Sequence, residues 1–120
     1  MRKFLIALSL LAAPLSLQAQ EQIASAPAGL LRALDKTSGH TVDLEVTTGQ
    51  AVSLGTLSIR MSDCRYPAGN PAGNAYAALQ ISEQGNENPI FSGWMIASAP
   101  ALNALEHQRY DVWVMRCTTS

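Results

Sequence analysis

The sequence predicts an all-β domain: a small, disulfide-stapled sandwich or partly open barrel of about six strands with one short helix. Three observations lead there. Val42, Leu44 and Val46 alternate with Thr41, Asp43 and Glu45, and Leu57, Ile59 and Met61 alternate with Ser58, Arg60 and Ser62. That period of two belongs to strands with one buried and one wet face. Short glycine-containing connections, Thr37-Ser38-Gly39-His40 and Thr47-Thr48-Gly49-Gln50, separate such runs as β-turns do. The chain's two cysteines, Cys64 and Cys117, follow an opening that reads as an export signal, which makes one disulfide the expected pairing.

That opening is set apart before the fold is considered. Arg2 and Lys3 precede an apolar run, Phe4 to Ala13, too short to span a bilayer as a helix. Pro14, Ser16 and Gln18 lead to Ala19, a small residue suited to the position before a cleavage site. Residues 1–19 are therefore expected to be a signal peptide, 20–28 a flexible leader rich in Ala, Ser and Pro, and 29–120 a single β-domain. With no cysteine at the cleavage site, no lipid anchor and no stable membrane attachment are expected afterwards.

Along the domain, Leu30–Lys36 and Thr41–Val46 read as a β-hairpin. Val52 and Leu54 share a face before Gly55 breaks the run. Leu57, Ile59 and Met61 form the next strand, and Cys64 falls out of phase with them. Either the strand bulges near Asp63, or the disulfide lies on the sheet's other face. The tandem Pro67-Ala68-Gly69-Asn70 and Pro71-Ala72-Gly73-Asn74 is a loop made of turn residues. Ala77, Leu79 and Ile81 mark another buried face, followed by the polar connection Glu83–Pro89.

The stretch Phe91–Cys117 holds both tryptophans and supplies much of the bulk of a small core. Ile90–Ile96 is apolar at both parities, which predicts a central strand covered on both faces. Ser98 is positioned to cap a short helix, with Pro100 in its first turn and Leu102 and Leu105 on one buried stripe. In Tyr110–Cys117, Val112 and Val114 are expected on one face, and Trp113, Met115 and Cys117 on the other. A bond between Cys64 and Cys117 would close a loop of roughly fifty residues and contribute about 4 kcal/mol in the chain-entropy account.

Without Arg2 and Lys3, six of the 8 basic residues remain against 9 acidic ones, a net charge of -3. A mildly acidic domain with no basic stripe is not expected to bind nucleic acid or anionic membrane surfaces.

Several segments are shared in kind with one family. They are Gly29-Leu30-Leu31-Arg32-Ala33-Leu34-Asp35-Lys36, Gly49-Gln50, Leu57-Ser58-Ile59, Pro89-Ile90-Phe91-Ser92-Gly93-Trp94-Met95, Ala101-Leu102-Asn103-Ala104-Leu105-Glu106-His107 and Tyr110-Asp111-Val112-Trp113-Val114. Over about Gly29 to Cys117 the chain resembles the domain of unknown function 2155 family, short secreted proteins of Gram-negative bacteria. The resemblance implies a periplasmic location and cysteines at corresponding places. It brings no activity, substrate or catalytic residue.

A hydrolase needs a nucleophile, a base and an orienting group. His40 lies in a predicted turn, and His107, with Glu106 before it and Asp111 after it, lies where an imidazole meets the last carbonyls of a helix. Phe91-Ser92-Gly93-Trp94 is not a G-x-S-x-G elbow. No catalysis and no cofactor are expected. Met61, Met95 and Met115 offer soft sulfur to copper(I), yet Met and Trp are also ordinary core residues. The expected role is a non-catalytic periplasmic accessory or adaptor that binds an envelope protein or glycan. Asn103, Glu106, His107 and Arg109 form its candidate interaction surface, a polar rim beside apolar residues. The alternative is a small-ligand or copper-binding protein.

Overall fold

The computed structural model describes residues 22–119, so the expected signal peptide lies outside the described residues. The alternating runs become eight strands: β1 (Ile23–Ser25), β2 (Ala28–Asp35), β3 (Thr41–Thr47), β4 (Gln50–Leu54), β5 (Leu57–Pro67), β6 (Tyr76–Glu83), β7 (Phe91–Ile96) and β8 (Tyr110–Thr118). They form two open sheets over one core. The larger sheet has the order β1-β5-β6-β7, with β4 also paired to β5; the smaller has the order β3-β2-β8. Every pairing is antiparallel.

One edge of β5 is shared end to end by two short strands. β4 pairs along Leu57–Met61 and β1 along Arg65–Pro67. Between them, the Gly49 and Ala26 amides donate to the carbonyls of Met61 and Cys64. A long edge that would otherwise template aggregation is thereby occupied.

The chain changes sheet at Ala26-Pro27 and again at Thr48-Gly49. The Thr48 amide donates to Pro27 O and its hydroxyl to Ala26 O, so one residue stitches the two corners together. Gly55 opens the tight turn between β4 and β5 at φ +55°, where a Cβ would also run into the Tyr110 hydroxyl. Glycine meets both requirements.

Cys64 and Cys117 are bonded, with Cα atoms 5.8 Å apart, and the bond joins β5 of one sheet to β8 of the other. Its two ends are prepared in the same way. In β5, Met61 opposes Leu79 while Asp63 opposes Ala78, leaving Ser62 as an extra residue. In β8, Val114 opposes Leu31 while Arg116 opposes Leu30, leaving Met115 as the extra residue. Each bulge reverses the inside–outside phase, so Met61 and Cys64, and likewise Val114 and Cys117, are all buried although three residues apart. The bulge near Asp63 is thus the correct one of the two readings of Cys64. Cys117 is corrected in turn: it is buried in the core with Val112 and Val114, not on the opposite face with Trp113 and Met115.

Other expectations are corrected as well. The strands number eight among the described residues, and Ile23–Ser25, placed in the flexible leader, is paired strand. Ile90–Ile96 is not a central strand, because β7 ends its sheet; Phe91 and Met95 face the core, whereas Trp94 is 39 % exposed. No helix forms after Ser98 among the described residues. Asn74 holds Ser98 from both sides, accepting from its amide and donating to its hydroxyl, which removes the hydroxyl as a helix cap. The isolated turns closed by Ala99 N to Ile96 O and Leu102 N to Ala99 O do not propagate, as expected for a nucleus with little to bury. Leu105 is buried, but Leu102 is the most exposed of the large apolar residues among the described ones, at 74 %.

Candidate functional site

The four residues of the candidate rim are engaged in different tasks. His107 Nδ1 accepts from the backbone amides of Arg109 (3.0 Å) and Tyr110 (3.1 Å). These bonds place the ring proton on Nε2, which donates to Glu83 Oε1 at 2.7 Å. The bond from His107, followed by one from Thr56, holds the Glu83 carboxyl below its usual range. The ring also stacks on Tyr110. With both nitrogens committed, His107 clasps the end of β6 to the start of β8.

Arg109 completes the clasp on the other sheet. It donates to both oxygens of Asp35 at 3.0–3.3 Å and lies over the Tyr110 ring. This bonding, helped by the Thr37 hydroxyl, holds Asp35 well below the usual carboxylate range. Lys36 donates to the His107 carbonyl and lies 3.6 Å from Asp111. Asn103 is occupied elsewhere, donating to the Trp94 carbonyl at 3.0 Å on β7. Glu106 is exposed. The structure therefore gives Asn103, His107 and Arg109 hydrogen-bonding partners within the chain, while Asn103, Glu106 and Arg109 remain exposed.

Two of the three candidate methionines are core residues. Met61 and Met95 are buried in the core, and Met115 is the bulge residue of β8. Among the described residues, no group of three or more His, Cys, Asp and Glu is arranged to hold a metal ion.

A different surface emerges from the strand register. On the larger sheet, the residues alternating with the core form successive cross-strand rows. Ser25, Arg65, Tyr76 and Ile96 make one; Asp63, Ala78 and Trp94 the next; Ala51, Arg60, Gln80 and Ser92 a third; Ser53, Ser58 and Ser82 a fourth. Large apolar groups collect at one end, joined there by Ile23, and Arg60 with hydroxyl, amide and alanine side chains fills the remainder.

Trp94 stands where the two parts meet. The Arg65 guanidinium lies over its ring, 4.9 Å from the centroid, and Arg65 Nε is held by Asp63 at 2.7 Å. Such cation–π contact restricts the indole. On one side of Trp94 is a shallow depression of about 270 Å³ lined by Ile23, Arg65 and Tyr76. On the other is one of about 310 Å³, bounded by Arg60, Ser62, Gln80 and Ser92. The indole is a wall common to both.

The sequence reading missed this face, although part of its signal was present. Trp94 and Met95 must point oppositely in one strand, so a buried Met95 leaves Trp94 outside. The contribution of Arg65, Tyr76 and Ile23 comes from strands distant in sequence.

Fold and surface together define a class: small disulfide-stapled β-domains of two open sheets, with an aromatic-centred open face and no enclosed cavity at that face. Residues 29–117 match the family described as "Uncharacterized protein conserved in bacteria (DUF2155)", and the chain belongs to that family. It is also similar to "Uncharacterized protein RP359" of Rickettsia prowazekii (strain Madrid E), with 25% identity over 92 residues. That alignment covers 74% of this chain and 59% of the relative, so the chain spans less than two thirds of the relative's length. No solved structure matches the chain.

Proposed function

We propose that the protein is a non-catalytic accessory or adaptor domain of the periplasm that binds an envelope component through the outer face of its larger sheet. The export signal read in the sequence supports the location, as does a buried disulfide between the sheets, which needs an oxidising compartment to form. The observation that carries the binding role is Trp94: a large aromatic residue, partly exposed on an edge strand and held by Arg65 between two depressions. Aromatic and arginine side chains of this kind dominate recognition surfaces. Asn103 contributes by holding the Trp94 backbone, and His107 and Arg109 by locking the loop that leads into β8.

The test is site-specific photocrosslinking in intact cells at native expression. A photoreactive residue at Gln80, on the proposed face, should give a discrete adduct with an envelope component, and Trp94→Ala should abolish it. The same residue at Glu45, on the smaller sheet, should not yield that adduct. Equal adducts from both positions, or none from Gln80, would reject this surface.

A further inference from the structure

We infer that the occupant of the Trp94 face is a glycan chain bearing acidic groups. The inference rests on the reading of this face as the recognition surface and goes on to name the chemistry recognised.

Three features favour a glycan over a folded protein. Protein-docking faces place an apolar centre inside a polar rim. Here the apolar residues Ile23, Tyr76, Trp94 and Ile96 lie at one end, and Ser58, Arg60, Gln80, Ser82 and Ser92 extend away from them. A sugar ring is itself divided in this way, with C–H groups that pack on an indole and a rim of hydroxyls that exchange hydrogen bonds with Ser, Gln and Arg.

Secondly, two contiguous depressions share one aromatic wall, which suits a ligand made of successive similar units better than a single compact molecule. Thirdly, the face carries Arg60 and Arg65 against one carboxylate, Asp63, in a domain whose expected exported form has a net charge of -3. Arg65 is engaged by Asp63 at 2.7 Å, while Arg60 donates only to the Gly49 carbonyl, among the described residues, at 3.0 Å. A guanidinium bonded to a carbonyl keeps its charge and further donors for a carboxylate on the ligand.

The test uses protein purified after export. The probes are soluble peptidoglycan glycan strands stripped of their peptide stems, so that alternate sugars carry a free carboxylate, and the neutral chitohexaose. Binding is read by calorimetry and by the fluorescence of a Trp113→Phe variant, in which Trp94 is the remaining tryptophan of the exported protein. Expected results are saturable binding of the acidic strands with a change in Trp94 emission, and a weakening of about tenfold or more in Trp94→Ala. Arg60→Gln and Gln80→Glu should lower affinity for the acidic strands more than for chitohexaose. Gln80→Glu keeps the indole and serves if Trp94→Ala fails to fold.

Binding unchanged in both Trp94→Ala and Gln80→Glu would overturn the assignment of this site. Equal affinity for the neutral probe would overturn the acidic requirement. If neither glycan binds while the Gln80 crosslinker captures a protein in a Trp94-dependent manner, the glycan is wrong and the surface stands. No glycan binding and no adduct would remove both proposals.

Discussion

Gly29 lies against the disulfide: a Cβ at this position would stand 3.0 Å from Cys64 Sγ and 3.0 Å from Met61 Sδ. Gly29 is in β2, opposite Cys117 on β8, whereas Cys64 belongs to the facing sheet. The missing side chain lets the two sheets approach closely where they are bonded. Gly29→Ala is expected to cost about 1–3 kcal/mol through overpacking. In a Met61→Ala background the cost should shrink, because one of the two obstructing sulfurs is gone. A double-mutant cycle in urea measures the difference; strictly additive effects would show that the close approach is not the cause.

The disulfide joins sheets whose other connections are loops and side-chain packing. Its removal by Cys64→Ala with Cys117→Ala is expected to lower stability by about 2–5 kcal/mol. Urea midpoints of the double variant and the oxidised wild type provide the measurement. Coincident midpoints would mean that core packing alone holds the sheets together.

Leu102 and Leu105 belong to one stripe if the segment is a helix, and to different environments in the structure. Leu105 is buried and Leu102 largely exposed. Leu105→Ala should therefore cost about 2–4 kcal/mol, while Leu102→Ala should fall within about 0.5 kcal/mol of wild type. Similar losses for the two would contradict the observed loop.

Acid should loosen the clasp between the sheets. The ordinary values for Asp35 and Glu83 are 3.8 and 4.5, and both carboxyls are held below them in the folded protein. Each group therefore stabilises fully above its ordinary value, and its contribution is lost as the pH falls toward the depressed one. The melting temperature is expected to begin falling below about pH 5 and to go on falling below about pH 3, where Asp35 takes up its proton, and to fall less in Asp35→Asn with Glu83→Gln. An unchanged acid slope in that variant would show that these carboxyls do not couple to unfolding.

Most of the strands are legible in the sequence because period two is a local property of an extended chain. Leu57-Ile59-Met61 and Ala77-Leu79-Ile81 show which side each strand buries, whatever lies beyond. The Thr37–His40 turn is equally local and joins β2 to β3 as expected. The apolar stretch Ile90–Ile96 misleads for the opposite reason: Ile96 and Trp94 look like core residues in composition, but β7 is an edge strand and their side of it is the sheet's outer face. Likewise, Ser98-Ala99-Pro100 has a helix-start pattern, yet Asn74, distant in sequence, engages the serine first.

By itself, the sequence determined the all-β character, the pairing of Cys64 with Cys117, the main strand spans and the family to which the chain belongs. Tertiary structure decided the rest: which strands share a sheet, where Ser62 and Met115 bulge, and how Ile23, Arg65, Tyr76 and Trp94 come to line one face. The physical reason is range. Burial alternation and turn chemistry act between near neighbours along the chain, whereas a bulge exists only relative to the strand opposite, and a surface only relative to every strand that contributes to it.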